Sequence, residues 1–301
     1  MIMGNVSIHR KLCGELFGEA MRLRILTFIT RRLTARLMHW RRLRFSSLIT
    51  AASLVSCALP GTSATPAGET DIAGEAWQAI LPGLERRTYH PGGDHPFTTL
   101  LALRIDPANF TLRAHYEPGA AYDLNGWISR LPDAAAFINA NFFDPQNRIL
   151  GLLVADGIAH GYAYNDRGGL VQVQDGVVRV RSTLMEPYLG EALEQAVQAF
   201  PMLITDGAAS FSNTRGDRPS RRTVVGQDAQ GRIIILSTPS LAGITLSALS
   251  AYLPTTDLAL VNAVNLDGGG STMLWLNIPD ANPLRIFSFD PVPAVLAVYP
   301  R

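Results

Sequence analysis

The sequence predicts a single α+β domain built around a mixed, strand-rich sheet with few helices. Three observations carry this prediction. The 301 residues are 47% hydrophobic and 17% charged, which fits a folded globular chain and is too apolar for a disordered one. Short apolar runs recur, most of them bounded by Gly, Asp, Asn or Pro, as strands joined by turns are. Helical periodicity is confined to three stretches, so no regular alternation of strand and helix develops.

In chain order, the expected strands cover 98–105, 110–116, 136–140, 150–154, 170–173, 177–180, 202–205, 223–227, 233–237, 260–266, 272–276 and 294–299. Helices are expected at 124–131, 189–199 and 245–253, where apolar residues return every three to four positions. One domain over 77–301 holds all of these.

Charge divides the chain. Residues 1–64 carry ten Lys and Arg against two Glu, a net of +8, while 65–301 carry 16 Arg against 23 acids, a net of −7. The mildly acidic body argues against a nucleic-acid partner, which a basic face would mark. Both cysteines, Cys13 and Cys57, precede residue 65, so the body has no thiol nucleophile, internal disulfide or cysteine zinc site.

Residues 1–64 read as a leader. A basic segment from Met38, an apolar run over 45–59 and a small-residue stretch are the three parts of a secretory signal. The apolar run is short of the roughly 20 residues a spanning helix needs. The long basic prefix suggests a true start at Met38 or Met21. Leu54-Val55-Ser56-Cys57 resembles a bacterial lipobox, which predicts lipidation of Cys57 and a periplasmic protein held to a membrane by that anchor. Cleavage after Ala64 would instead leave a soluble periplasmic or secreted protein. Residues 65–76, rich in Gly, Thr, Ala and Pro, read as a flexible tether.

Four constellations could carry chemistry. Asn139-Ala140-Asn141-Phe142-Phe143-Asp144 follows a strand-like run, and its two amides and carboxylate could hold sugar hydroxyls. A turn held by Asx side chains explains the same residues. Asp-Gly occurs at 156, 175, 206 and 267. The first two read as hairpin turns, whereas Asp206 is open to either reading. Ser220-Arg221-Arg222-Thr223 offers a guanidinium fork for an anionic oxygen pair. Alternation along a strand allows only one of the two arginines into a given cleft, and Arg222 is the expected one, with Arg221 solvated.

The fourth constellation is the sharpest. In Asn265-Leu266-Asp267-Gly268-Gly269-Gly270-Ser271-Thr272 a strand delivers a carboxylate to three glycines and two hydroxyls. Glycines let a backbone approach a ligand, and successive N–H groups can form an anion nest. A flexible hairpin accounts for one or two glycines but not three so flanked. No Gly-Lys-Ser/Thr follows, and there is no Gly-x-Ser-x-Gly, His-Glu-x-x-His or Gly-x-Gly-x-x-Gly. No cofactor is required. Asp144, Asp206 and Asp267 would surround a divalent cation if they converged.

Taken in order, the segments 139–144, 150–157, 198–207, 221–226 and 265–272, with the closing Asp290-Pro-Val-Pro-Ala-Val-Leu-Ala-Val298, resemble the phosphodiester glycosidase family and its exported bacterial members. The resemblance spans roughly 98–300. Asn141 stands where many members have Gly, Val224 where Ala is common, and Ala294 where Asn is frequent.

The resemblance implies hydrolysis of a sugar-1-phosphodiester in envelope or extracellular glycans. Arg222 and the Gly268–Gly270 turn would hold the phosphodiester anion. Asp267 or Asp206 would stabilise the oxocarbenium-like transition state. Asn139, Asn141, Asp144, Thr223, Ser271 and Thr272 would line the substrate. A good phosphate leaving group lessens the need for a general acid. The competing expectation is a non-catalytic glycan-binding lipoprotein using the same cleft. Either way, Asn139, Asp206, Arg222 and Asp267 should line one cleft at neighbouring strand ends.

Overall fold

Strand pairing is antiparallel throughout residues 75–239 and 241–301, which the computed structural model of the protein describes. The largest sheet has eight strands in the order β1 (Gln78–Leu81), β2 (Leu84–Tyr89), β3 (Leu100–Ile105), β16 (Ile233–Ser237), β15 (Thr223–Asp228), β17 (Leu260–Asn265), β13 (Met202–Thr205) and β14 (Ala208–Ala209). A second sheet runs β11 (Val177–Ser182), β10 (Gly169–Gln174), β12 (Gln195–Ala199), β8 (Leu152–Ala155), β9 (Ile158–Gly161). The third runs β19 (Leu284–Ile286), β18 (Leu274–Leu276), β5 (Ala136–Asn139), β20 (Ala294–Pro300), β4 (Phe110–Tyr116). A ribbon of β6 (Phe142–Phe143) and β7 (Ile149–Leu150) completes the set.

The strand-rich, helix-poor character matches the expectation, but the one mixed sheet resolves into three antiparallel ones. The reason lies in the connections. Two-residue Asp-Gly turns join β8 to β9, β10 to β11 and β13 to β14, and so short a link can only join antiparallel neighbours. Asp156, Asp175 and Asp206 all sit at positive φ, as such hairpins require.

The three sheets face one another across a shared apolar core that includes Leu103, Ile138, Leu153, Val171, Val225, Val264 and Leu296. Alternation leaves each sheet a second face to cover. Helix α1 (Leu124–Arg130) covers the third sheet, placing Trp127 against Phe137, Trp275 and Val295. Asp123 caps it by accepting from the Gly126 N–H (2.8 Å), and the Trp127 indole donates to the Val292 carbonyl (3.1 Å). Helix α2 (Leu246–Tyr252) packs Leu249 against Leu203, Val224 and Ile234 on the large sheet, with Thr245 as its cap.

One expected helix does not form. Within 189–199, Gly190 takes positive φ and β12 begins at Gln195. Helical spacing there conceals a strand paired on both sides, to β10 and β8. Gln195 and Gln198 mimic a polar helix face, yet both are buried. Gln198 Oε1 accepts from the Leu152 and Tyr164 N–H groups, and Gln195 Oε1 from that of Ala114. Tertiary pairing overrides the local periodicity. The leader, Cys57 and residues 65–74 of the expected tether lie outside the described residues.

Candidate active site

Asp267 is held where the large and third sheets meet. Past the end of β17, the Leu266 N–H donates to the Thr223 carbonyl (2.8 Å), which prolongs the pairing with β15. The Asp267 N–H then crosses to the Ala140 carbonyl (3.2 Å), beyond the end of β5. Asn139, the last residue of β5, donates from Nδ2 to the Asp267 carbonyl (2.7 Å). Its Oδ1 accepts from the Thr223 hydroxyl (2.7 Å) and the Met273 N–H (3.1 Å). Two sheets and the turn are thereby tied at one buried amide.

The side chain of Asp267 is half-buried, with Oδ1 accepting from the Gly268 N–H (2.8 Å). Burial pushes its carboxyl above the usual carboxylate range. The Ser271 hydroxyl and Gly268 N–H pull it back, and the charge of Asp290 adds to the rise. Asp290 reaches this position because its own N–H and that of Phe289 both donate to the Gly270 carbonyl. Two acidic groups thus face one glycine turn.

Two of the three glycines are demanded by close approach. A Cβ on Gly268 would lie 2.7 Å from the Arg221 carbonyl oxygen, and one on Gly270 would overlap Oδ2 of Asp290. The first obstacle is backbone, the second the mobile end of an exposed side chain. Gly268→Ala should therefore cost about 1–3 kcal/mol of stability, while Gly270→Ala costs less because Asp290 can rotate away. Paired thermal unfolding curves check this order.

Arg221 is the cation of this site. It is only 5% exposed, its Nη2 donates to the Thr272 carbonyl (2.9 Å), and its guanidinium carbon lies 4.9 Å from the Phe289 ring centroid. Nη1 is buried with no partner, and no carboxylate pairs with Arg221 among the described residues. Burial pulls its pKa down. The Gly269 N–H donates to its carbonyl (2.8 Å), which fixes it beside the turn.

This reverses the expected choice between the arginines. Arg222 lies level with the same strand end, but alternation turns it to the α2 face. There Nε donates to the Ile244 carbonyl (2.9 Å), and Nη2 to the Arg218 carbonyl (2.8 Å) and Asp217 Oδ1 (3.4 Å). Asp206 is also misplaced by the sequence reading. It is exposed in the β13–β14 turn, where the Gly207 N–H donates to the Val261 carbonyl (2.9 Å). That is six residues back along β17 from Asp267, roughly 20 Å at strand spacing.

Several expected substrate contacts are engaged inside the protein. Asn139 and Thr223 bond each other and the turn, so neither is free for a sugar hydroxyl. Asn141 is buried and donates to the Leu152 and Gln198 carbonyls, its Oδ1 alone lacking a partner. Asp144 builds the β6–β7 turn. The Arg148 N–H, assisted by its guanidinium and the Gln146 N–H, holds the Asp144 carboxyl below the usual range. The N–H groups of Gly268, Gly269, Ser271 and Thr272 donate within the turn or to Arg221, so they do not form the expected open nest. Ser271 stays beside Asp267, and Thr272 Oγ1 is buried without a partner. Asp144, Asp206 and Asp267 do not converge on a cation, and the described residues hold no group of three potential metal ligands.

The structure adds two residues to the candidate site: Asp290, which the sequence reading did not single out, and Arg221, which it set aside as solvated. Asp290 opens the closing segment at 290–298, a signal that was present but had no spatial meaning. Nothing local separates Arg221 from Arg222. Only the direction of alternation, set by Val225 facing the shared core and Val224 facing α2, decides it.

The fold is shared with two solved structures. One is the catalytic domain of zebrafish N-acetylglucosamine-1-phosphodiester alpha-N-acetylglucosaminidase, auto-inhibited by its pro-peptide. It aligns with a TM-score of 0.56 and 17% identity over 76% of this chain and 87% of that one. The other is a hypothetical protein from Synechocystis, with a TM-score of 0.51 and 18% identity over 73% and 62% of the two chains. At such identity the likeness concerns the fold. Residues 132–299 match the phosphodiester glycosidase family, and the chain belongs to it. The N-acetylglucosamine-1-phosphodiester alpha-N-acetylglucosaminidase of Bos taurus is 27% identical over 166 residues, 46% of this chain. The matched stretch spans only 30% of that relative.

Proposed function

We infer that the protein hydrolyses a sugar-1-phosphodiester, breaking the bond between the anomeric carbon and the phosphate oxygen. The observation that carries this reading is that one glycine turn holds both a half-buried carboxylate, Asp267, and a buried arginine, Arg221, which bonds the turn through its carbonyl and Nη2 and has no carboxylate partner among the described residues. A buried cation without a counter-ion costs several kcal/mol unless an anion neutralises it, and the diester phosphate is such an anion. Arg221 would hold that phosphate. The ionised Asp267 would stabilise positive charge growing at the anomeric carbon. The Bos taurus relative is named for phosphodiester glycosidase action, as is the family matched by residues 132–299, which supports the reaction class.

The test is release of free sugar from a panel of glycosyl-1-phosphodiesters, beginning with the α-N-acetylglucosaminyl compound. Turnover of one member supports the reading. Saturable binding of the panel with no turnover would overturn it in favour of a glycan-binding module.

The reading includes export, supported by the basic, apolar and small-residue order of 38–64 and the lipobox-like Leu54–Cys57 segment. An envelope glycan is the substrate this location makes available. Cys57→Ala should move the protein from the membrane fraction to the soluble one, or stall its processing. A mature protein beginning at Thr65 would remove the anchor and leave export standing.

A further inference from the structure

A second cationic bay adjoins the glycine turn, and neither the proposed chemistry nor the family assignment accounts for it. It has a volume of about 370 Å³ and is walled by Arg215, Arg218, Arg222, Asp217, Ser220 and Phe211, among others. Ser220 joins the two sites. Its Oγ lies 3.3 Å from where a Cβ on Gly269 would sit, so the bay and the turn share a wall.

The charges of the bay do not cancel. Asp217, its one carboxylate, is 3% exposed and already accepts from the Leu246 N–H, the Ser247 N–H and the Ser247 hydroxyl (2.8 Å each). Its remaining interaction is with Arg222, whose fork is anchored to two backbone carbonyls. That pair forms a neutral floor. Arg215 and Arg218 stand above it, exposed, and neither has a carboxylate partner among the described residues. Two positive charges therefore overlook a cavity that shares its Ser220 wall with the glycine turn, in a body whose net charge is negative.

We propose that this bay is the subsite for the leaving-group half of the diester, and that it selects leaving groups carrying a second phosphate. The proposal rests on the reaction inferred above and deepens it. A neutral alcohol would leave both guanidinium groups facing water, whereas a phosphate one sugar or polyol length from the scissile bond would engage their forks. A polymer of repeating glycosyl phosphodiesters has this chemistry.

The experiment uses two diesters of one sugar-1-phosphate, with methanol or glycerol phosphate as the second esterified alcohol, so that the leaving group is methyl phosphate or a glycerol bisphosphate. Wild type and the Arg215→Ala/Arg218→Ala double variant are compared for turnover and, by calorimetry, for binding. Wild type should favour the glycerol phosphate diester by about tenfold at low salt. Added salt should shrink the preference, and the double variant should lose it while treating the methyl diester as wild type does. Both residues are exposed, and matching unfolding curves confirm an intact fold. Equal handling of the two diesters by wild type, or a preference that survives in the double variant, overturns the subsite even if both are cleaved. If neither is cleaved the reaction is wrong, and the binding data still decide the subsite by the same comparison.

Discussion

Asp267→Asn should lower turnover by about 10²–10³-fold and leave the folded protein as stable as wild type or more so. The amide keeps the shape and can still accept from the Gly268 N–H, so the turn survives. What disappears is the negative charge, which acts mainly in the transition state, and substrate binding should change far less. Burial raises the folded carboxyl's pKa above its unfolded value of about 3.9. Stability from this group is then fully present below the unfolded pKa and is lost as pH rises through the folded one. At neutral pH the ionised side chain is a net cost, which the amide removes. Unfolding curves of variant and wild type should coincide in acid and separate in the variant's favour toward neutrality. Wild-type turnover should also fall on the acid side at a pH above the ordinary carboxylate range. Near-normal activity in folded Asp267→Asn would reduce Asp267 to a cap for the glycine turn.

Arg221→Lys should lose as much in kcat/KM, about 10²-fold or more, but with a different signature. Lysine keeps the charge and loses the planar fork that grips two phosphate oxygens, so KM should rise along with the fall in kcat. Arg221→Met should unfold at a temperature no lower than wild type, because it removes a buried charge that nothing in the free protein pairs. Arg222→Met makes the contrast. Its guanidinium joins Ile244, Arg218 and Asp217, and breaking that buried pair should cost stability, about 3–5 kcal/mol by analogy with other buried pairs. If Arg222→Met leaves stability unchanged and abolishes turnover while Arg221→Met stays active, the roles assigned to the two residues are wrong.

These predictions rest on directions that single residues take. The closing segment at 290–298 was legible as part of the family pattern, but Asp290 became a neighbour of Asp267 only because the Gly270 carbonyl accepts two backbone N–H groups from it and Phe289. The stretch 189–199 looked helical because its apolar residues return at helical spacing, with Gln195 and Gln198 between them. Pairing of β12 with two other strands outweighed that local preference, and both amides became hydrogen-bond anchors for neighbouring chain ends.

The sequence by itself determined the strand-rich character, because apolar runs punctuated by Gly, Asp and Pro leave the backbone few other ways to satisfy its hydrogen bonds. It also determined the Asp267–Thr272 turn, since three consecutive glycines between a strand and two hydroxyls mark backbone that meets other atoms closely or turns through positive φ, as Gly269 does. Only the tertiary structure decided that the sheets are three and antiparallel, that Asp206 sits at the far end of the strand from Asp267, and that Arg221 faces the site while Arg222 faces away. The physical reason is the period of two along a strand. Moving one residue reverses the face a side chain occupies, and which face is which depends on what each sheet packs against.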